Sequence, residues 1–513
     1  MSEEWLSESN VKGSKSLIVL GYIGLETLHS LSQKYSSGVL WICSNSNTNK
    51  LPDNIKKIDP SCAPRALTKF ISDFLSLNYQ FVPSVKVSKE IYDHPEHNYS
   101  QILDLIVSQI NSAMRARKTR SENGFIRQNQ VFLNFAGYLS KRLPKDWSTI
   151  GEGCLAIVVG AGPSLDITLP LIKNGLNRPI IVATDSSLTA LKNADLNPDF
   201  VISIDPEKSY ESCSLPGYTP GIAVLSTQSH PSWAKQWGNS CCYMSGRVVT
   251  EDWLAQRGIV KTKLLAINNA GLTALAFADF INTSAILTIG LDLAGGNHGE
   301  QRYAEITNRS HIQTISTQYH KIPGNYETTV PTPFLSDWEE TSNYCQEISK
   351  RKMLINLNDR GAKLSGANLI HPDQIDELKN ALCENILSYS GNNPLLLEQR
   401  KKLVGHGLSQ LLSTITELCD RCWFELNKIN SSDSQSMLNF LRKTLADKDF
   451  ASLMGDFSFA TIPIITSDQK PSVEELNNLC NELKSLLWRL EDAIVETHPS
   501  EEFLVRFFTE KFN

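Results

Sequence analysis

The fold is decided by one stretch of the chain, Leu155-Ala156-Ile157-Val158-Val159-Gly160-Ala161-Gly162-Pro163-Ser164-Leu165-Asp166. Its first five residues are apolar without alternation, which is typical of a parallel strand buried on both faces. Similar runs follow at helix-length intervals, at Ile180-Ile181-Val182-Ala183 and at Phe200-Val201-Ile202-Ser203-Ile204. The spacing predicts an α/β domain with a parallel sheet and crossover helices.

Polar residues follow each of these three runs. The first run enters a glycine turn, the second leads to Asp185 and Ser186, and the third leads to Asp205. Ligands of open parallel sheets bind beyond the carboxyl ends of the strands. We therefore expect the active site at this edge, with Asp185 and Ser186 in substrate binding.

The glycine turn itself suits a phosphate or a nucleotide. It lacks the third glycine of the dinucleotide fingerprint, because position 165 is leucine, and no Gly-Lys-Ser/Thr follows as in a Walker loop. Gly160 and Gly162 allow a ligand to approach the backbone closely. Pro163 fits the first turn of a helix, where Ser164 adds a hydroxyl beside free amides. The alternative is a tight strand-to-helix turn in which Ser164 only caps the helix.

The composition excludes several classes of protein. Hydrophobic residues make up 41% of the 513 residues and charged residues 20%, as in a soluble globular protein. The net charge of −6 argues against a nucleic-acid partner. Because the sequence starts with acidic residues, we expect no signal peptide. Because no apolar run reaches ~18 residues, we expect no membrane span. Eleven scattered cysteines without a disulfide framework indicate the reducing cytoplasm.

The pattern divides the chain into four parts. We predict a small N-terminal α/β domain at 1–98, a helical linker at 99–153, a Rossmann-like central domain at 154–375 and a C-terminal α-helical domain at 376–513. The last part consists of amphipathic, helix-forming sequence without a cluster of site-like residues.

Two further features of the central part point to the same edge. Asn269 and Gly271 open a helix of small residues, and an asparagine at that position can cap the helix or contact a ligand. The apolar run Ala285-Ile286-Leu287-Thr288-Ile289 then leads to Asp292, a fourth polar strand end.

The segment from Gly295 to Thr332 holds His298 and lacks apolar periodicity. We expect it to be a mobile lid, with a disordered insert as the alternative.

Together these motifs resemble those of the motility-associated factor (Maf) flagellin glycosyltransferases, whose central domain is similar to bacterial sialyltransferases. The resemblance covers the central domain, and it rests on the glycine turn and on Ala183-Thr184-Asp185, Ile202-Ser203-Ile204-Asp205-Pro206, the helix from Asn269 to Phe280, Ile289-Gly290-Leu291-Asp292-Leu293-Ala294, His298, Thr332, Phe334 and Gly361-Ala362-Lys363-Leu364-Ser365-Gly366-Ala367.

The resemblance implies transfer of a nonulosonic acid, such as pseudaminic or legionaminic acid, from its CMP-activated form to a Ser or Thr of flagellin. The glycine turn and Ser164 then hold the donor phosphate. Asp205, Asp292 and His298 are the candidates for taking the acceptor proton, and the sequence does not rank them. No residues are assigned as metal ligands and no cofactor is certain, so a need for Mg²⁺ stays open.

Two other functions fit the same sequence. The central domain is also similar to archaeal 6-hydroxymethylpterin pyrophosphokinases, whose diphosphotransfer needs ATP and Mg²⁺ held by aspartates. The long N-terminal and C-terminal parts favour a protein-modifying transferase, because a protein acceptor needs a docking surface. The third hypothesis is a non-catalytic protein that binds flagellin.

Overall fold

The computed structural model describes residues 5–9, 14–44, 51–62, 64–77, 82–93, 97–173, 176, 178–295, 301–312, 319–383, 406–430, 432–467 and 470–497. Internal contacts divide the chain into two compact units, Met1–Glu122 and Asn123–Asn513. The predicted four-part division is finer than this and stays a prediction.

The first unit is a small α/β layer. Its elements are β1 (Trp5–Ser9), β2 (Ser16–Leu20), α1 (Leu25–Lys34), β3 (Gly38–Ile42), β4 (Ile55–Ile58), α2 (Pro64–Leu77), β5 (Ser84–Ser88) and α3 (Tyr99–Glu122). The sheet order is β1-β5-β2-β3-β4, and β1 alone runs antiparallel to its neighbour. Helix α3, which the sequence placed in the linker, packs on the core of this unit through Tyr99, Ile102 and Ile106.

The second unit is built on a larger sheet. Its strands are β6 (Leu155–Val159), β7 (Ile180–Thr184), β8 (Phe200–Ser203), β9 (Ile222–Ser226), β10 (Cys241–Met244), β11 (Ala285–Ile289), β12 (His320–Ile322), β13 (Val330–Thr332), β14 (Met353–Leu357) and β15 (Asn368–Ile370). Eight of them form one parallel sheet in the order β10-β9-β8-β7-β6-β11-β14-β15. The chain thus moves outward from β6 in one direction and then in the other, so the topological switch point lies between β6 and β11.

Helices cover this sheet and continue beyond it. They are α4 (Gly124–Leu133), α5 (Phe135–Ser140), α6 (Leu165–Ile172), α7 (Leu188–Asn193), α8 (Ser232–Trp237), α9 (Val249–Ala255), α10 (Ala270–Phe280), α11 (Leu335–Ile348), α12 (Ile375–Cys383), α13 (His406–Leu426), α14 (Ser434–Ala446), α15 (Lys448–Leu453), α16 (Gly455–Ile465) and α17 (Val473–Thr497). The predicted α/β class, with a parallel central sheet, a small N-terminal α/β unit and a helical C-terminal region, is confirmed.

The burial of β6 explains its uninterrupted apolar sequence. Leu155, Ile157 and Val159 face one hydrophobic cluster, and Ala156 and Val158 face the other. Because successive side chains alternate between faces and both faces are covered, every position of the strand is apolar.

The C-terminal helices share the first of these clusters and are tied to the sheet by polar contacts. The Arg127 Nε on α4 donates to the Asp456 carboxylate on α16 at 2.9 Å. Gln228, which follows β9, donates to the same carboxylate at 2.7 Å. The helical region is therefore joined to the carboxyl edge of the sheet through α4. In the described part of the chain, no helix is long and apolar enough to cross a membrane.

Where it is described, the segment from Gly295 to Thr332 contains regular structure, and its role as a mobile lid stays a prediction. It contains a short 3₁₀ helix, Glu305–Thr307, and an antiparallel hairpin formed by β12 and β13. Ile322 and Val330 pack with Ala294 and Ala362 in a small cluster of their own. No periodic signal marks the hairpin in the sequence, because each of its strands is only three residues long.

Candidate functional site

The topological switch point is where the glycine turn meets the loop after β11. The Gly160 amide donates to the Ile289 carbonyl and the Gly162 amide to the Gly290 carbonyl, both at 2.8 Å. A Cβ on Gly160 would lie 2.2 Å from the Gly290 oxygen, and one on Gly162 would lie 2.6 Å from an Asp292 oxygen. Both glycines are therefore required by the close approach of the two loops.

Asp292 fills the space in front of this turn. Its carboxylate accepts hydrogen bonds from the Ser164 amide at 2.7 Å, the Ser164 Oγ at 2.5 Å and the Asn358 Nδ2 at 2.8 Å. Asp292 is buried, and this burial raises the pKa of its carboxyl although the three donors oppose the shift. The carboxylate thus occupies the start of α6, where a phosphate would be expected.

This arrangement bears on the predicted phosphate site. The Gly162 and Ser164 amides have protein acceptors, and the Leu165 amide donates to the Gly162 carbonyl at 3.0 Å. Pro163 has no amide hydrogen to offer. The Ser164 side chain makes no cap hydrogen bond at the start of α6, so the alternative that Ser164 only caps this helix is wrong. A donor phosphate could use this turn only by displacing Asp292, and the binding role of the turn stays a prediction.

A second polar cluster lies at the ends of β7 and β8. The Lys208 Nζ is 3.5 Å from Asp185 Oδ1, 3.8 Å from Asp205 Oδ2 and 3.3 Å from Ser186 Oγ. Asp185 is buried and also accepts from the Ser186 amide at 2.7 Å. The Asp205 side chain keeps 35% of its surface exposed. The structure thus brings three of the predicted residues together around one cation.

Lys208 stays charged in this cluster. Burial, the largest effect, lowers the pKa of its ammonium group, but Asp185, Tyr303 and Asp205 together raise it above the ordinary value. A charged lysine between two carboxylates at a partly open edge can bind an anionic group of a substrate. Sequence reasoning missed Lys208, although it follows Asp205 by only three residues in a charged loop after a buried strand.

The start of α10 lies near the switch point as well. The Asn269 Oδ1 accepts from the Leu272 amide at 2.7 Å, which is the capping alternative named above. Its Nδ2 is buried without a hydrogen-bond partner in the described part of the chain. A Cβ on Gly271 would lie 2.5 Å from a methyl carbon of Leu291, so this glycine serves close packing. Contact of either residue with a substrate stays a prediction.

The loop beyond β11 is fastened to the glycine turn. The Asp166 carboxylate accepts from the Glu305 and Ile306 amides, both at 3.0 Å, and the Ala304 amide donates to the Ala161 carbonyl at 2.9 Å. His298, the third predicted catalytic residue, lies outside the described residues. Asp166 belongs to the quoted motif, but its spacing gave no sign of this distant partner.

The hairpin of β12 and β13 is fastened on its other side. The Asn325 amide donates to the Gly361 carbonyl at 3.0 Å, and the Tyr326 hydroxyl donates to the Asn358 carbonyl at 3.0 Å. The Thr332 Oγ1 donates to the Leu293 carbonyl at 2.7 Å. These contacts hold the hairpin beside the loop that carries Asp292.

Another buried carboxylate joins the ends of β9 and β10. The Thr227 hydroxyl donates to Glu251 Oε1 at 2.6 Å, and the Gly246 amide donates to Oε2 at 2.7 Å. Burial raises the pKa of Glu251 to about 7. Within the described ranges, no group of three or more His, Cys, Asp or Glu side chains could hold a metal ion.

Comparison with known proteins gives two findings. Residues 129–298, about a third of the chain, match the family model of the 6-hydroxymethylpterin diphosphokinase MptE-like domain. The chain is similar to the Maf glycosyltransferase from Magnetospirillum magneticum AMB-1, with a TM-score of 0.46 and 13% identity, over 95% of this chain and 75% of that chain. No curated protein matches significantly. The comparisons thus find both groups of proteins that the sequence motifs resemble. A structural likeness at 13% sequence identity does not establish an activity.

Proposed function

We propose that this chain is a glycosyltransferase that moves a nonulosonic acid from its CMP-activated donor to a Ser or Thr of flagellin. The observation that carries the proposal is the cluster at the ends of β7 and β8. There a charged Lys208 stands beside Ser186 and between the carboxylates of Asp185 and Asp205. The motif resemblance described above supplies the sugar and the acceptor.

The cluster provides the groups that this reaction needs. The acceptor oxygen forms a bond to the anomeric carbon, and the bond from that carbon to the phosphate oxygen breaks. CMP leaves with the electron pair, and Lys208 stabilises the negative charge on its phosphate. Asp205 accepts the hydroxyl proton, because its carboxylate is the partly exposed one of the pair. Asp185 is buried and positions Lys208.

Asp292 takes a positioning role in this proposal. Its three donors and its burial keep the carboxylate away from a bound substrate. It holds the glycine turn against the loop after β11 and thereby fixes the floor of the site. His298 is kept as a further proposed base.

One observation favours a second candidate, transfer of diphosphate from ATP to a hydroxymethylpterin. Residues 129–298 match a family model described by that activity. The same cluster would then contact the polyphosphate, and the aspartates would be the first residues to test as Mg²⁺ ligands.

The test is an incubation of the purified full chain with CMP-nonulosonic acid and unmodified flagellin. The proposal expects free CMP and a flagellin mass increased by one or more sugar residues. A parallel incubation with ATP, Mg²⁺ and 6-hydroxymethylpterin expects no AMP. AMP release without flagellin modification would replace the proposal by the second candidate.

A further inference from the structure

Arg302 is an exposed cation that lies against two aromatic rings. Its guanidinium carbon lies 5.1 Å from the ring centre of Tyr303 and 5.4 Å from that of Phe334. Tyr303 is buried, so the ring beneath the guanidinium is fixed. Residue 302 is exposed, and among the described residues its side chain has no hydrogen-bond or ion-pair partner. Two aromatic rings thus orient the guanidinium while its N–H donors stay available.

The backbone around Arg302 is fixed against the candidate site. Two residues on, the Ala304 amide donates to the Ala161 carbonyl of the glycine turn, and Asp166 holds the following 3₁₀ helix. These contacts place the backbone of Arg302 at the carboxyl edge of the parallel sheet, the same edge that carries the Lys208 cluster.

A neighbouring arginine shows the difference between a structural and an available guanidinium. Arg309 lies 5.0 Å from the ring centre of the same Tyr303, but it is buried and donates to the Ser212 carbonyl and to the Cys213 Sγ. Its hydrogen-bonding capacity is directed into the protein. Arg302 lies over the same ring, but its side chain is exposed.

We infer that Arg302, clamped by Tyr303 and Phe334, binds an anionic oxygen group of the substrate next to Lys208. Phosphate and carboxylate both fit a guanidinium through paired N–H donors. The identity of the ligand rests on the proposed function, in which the donor carries one phosphate and one sugar carboxylate. Lys208 and Arg302 then supply one cation for each of the two anions.

Calorimetric titrations of the full chain test this inference. The ligands are cytidine, CMP, and CMP-N-acetylneuraminate as a carboxylated CMP-sugar, and the variants are Arg302→Leu and Phe334→Leu. Because Arg302→Leu removes charge-assisted hydrogen bonds, its affinity for the anionic ligands should be about 10- to 100-fold lower than that of the parent. Its affinity for cytidine should be unchanged. Phe334→Leu should give a smaller loss in the same direction. Arg257→Leu is the matched control, because that guanidinium stacks on Trp253 at 3.9 Å but pairs with Asp449.

The pattern of losses identifies the group that is bound. An equal loss for CMP and the CMP-sugar assigns the phosphate to Arg302, and a loss for the CMP-sugar alone assigns the carboxylate. Unchanged affinities in a folded Arg302→Leu protein overturn the inference and leave the proposed function standing. If the parent protein binds no cytidine nucleotide, the proposed function fails. The titrations are then repeated with ATP and inorganic pyrophosphate in place of the cytidine ligands. If the parent binds neither of these anions, or binds them as tightly as the Arg302→Leu protein does, the inference about Arg302 is overturned too.

Discussion

Ser164 and Asp292 lie on the loops after two adjacent parallel strands, and Ser164 gives the Asp292 carboxylate two hydrogen bonds, from Oγ at 2.5 Å and from its amide at 2.7 Å. This pair closes the topological switch point, where open α/β sheets usually bind ligands. The available polar groups lie one and two strands further along, around Lys208. The pair therefore acts as the internal anchor of the site.

Replacing Asp292 by Asn tests this anchor. The Asp292 carboxylate accepts from the Ser164 amide, the Ser164 hydroxyl and the Asn358 side chain. An Asn side chain has an NH₂ group in place of one acceptor oxygen, so at least one of these buried donors loses its partner. We expect the free energy of unfolding of the second unit to fall by about 2–3 kcal/mol in urea denaturation. Asp373→Asn is the control, because that side chain is 89% exposed. Equal stability of the Asp292→Asn protein and the parent would contradict the anchor.

A methyl group at Gly162 should disturb the same contact. The added Cβ would lie 2.6 Å from an Asp292 oxygen and 2.9 Å from the Gly290 carbonyl oxygen. Gly162→Ala should therefore lower stability by about 1–3 kcal/mol, as overpacking does. Gly24→Ala is matched to it, because Gly24 has φ −63° and a Cβ added there would meet no atom within 4 Å. It should change stability little, and a similar loss in both proteins would refute the steric argument.

Glu251 predicts a pH dependence of stability. Its pKa of about 7 in the folded protein exceeds the ordinary value of 4.5, so its favourable contribution is complete below pH ~4.5 and is lost as the pH rises through 7. Glu251→Gln stays neutral at every pH. The variant should match the parent near pH 4.5 and exceed it at pH 8 by roughly 2–4 kcal/mol, which thermal or urea unfolding measures. A difference that does not depend on pH would contradict the shifted pKa.

Asp205→Asn tests the proposed base. It removes the proton acceptor and keeps the size of the side chain, so transfer should slow by about 10²- to 10⁴-fold with donor affinity little changed. Glu207→Gln, two residues away on the exposed side of the same loop, should keep the parent rate. If Asp205→Asn also transfers at the parent rate, the base lies elsewhere and His298 becomes the next residue to replace.

Asp166→Asn should loosen the loop that carries Arg302. The carboxylate receives the Glu305 and Ile306 amides through its two oxygens, and an amide side chain can accept only one of them well. Hydrogen exchange at residues 304–307 should accelerate, and hydrolysis of the donor should rise relative to transfer because water enters the site. Unchanged exchange in this segment would show that Asp166 does not fasten the loop.

The buried strands were the most predictable part of the fold. β6 and β11 have the bounds that their apolar runs predict, since a central parallel strand is covered on both faces and needs apolar residues throughout. β5 was missed because its sequence Ser-Val-Lys-Val-Ser includes a charge. Lys86 is buried there only because Glu8 on β1 pairs with it at 3.1 Å and Trp5 lies beneath it. No local pattern reveals such a distant partner.

The sequence predicts which residues lie at the edge of the sheet that holds the candidate site, but it does not predict their contacts. Strand ends reveal which residues lie at the carboxyl edge, and Asp185, Asp205 and Asp292 all lie there. Sequence spacing does not reveal which of them pair, so the separation into an Asp292–Ser164 anchor and a Lys208 cluster emerged only from the fold. Lys208 and Arg302 were missed because their roles depend on neighbours from other segments of the chain.

The glycosyltransferase assignment is tested most directly by the intact mass of flagellin after incubation with the full chain and CMP-nonulosonic acid, run beside the Asp205→Asn protein. We predict a mass increase of one or more sugar residues with an equal amount of CMP released by the parent, and almost none by the variant. Unmodified flagellin with the parent, while ATP and 6-hydroxymethylpterin yield AMP, would contradict the assignment.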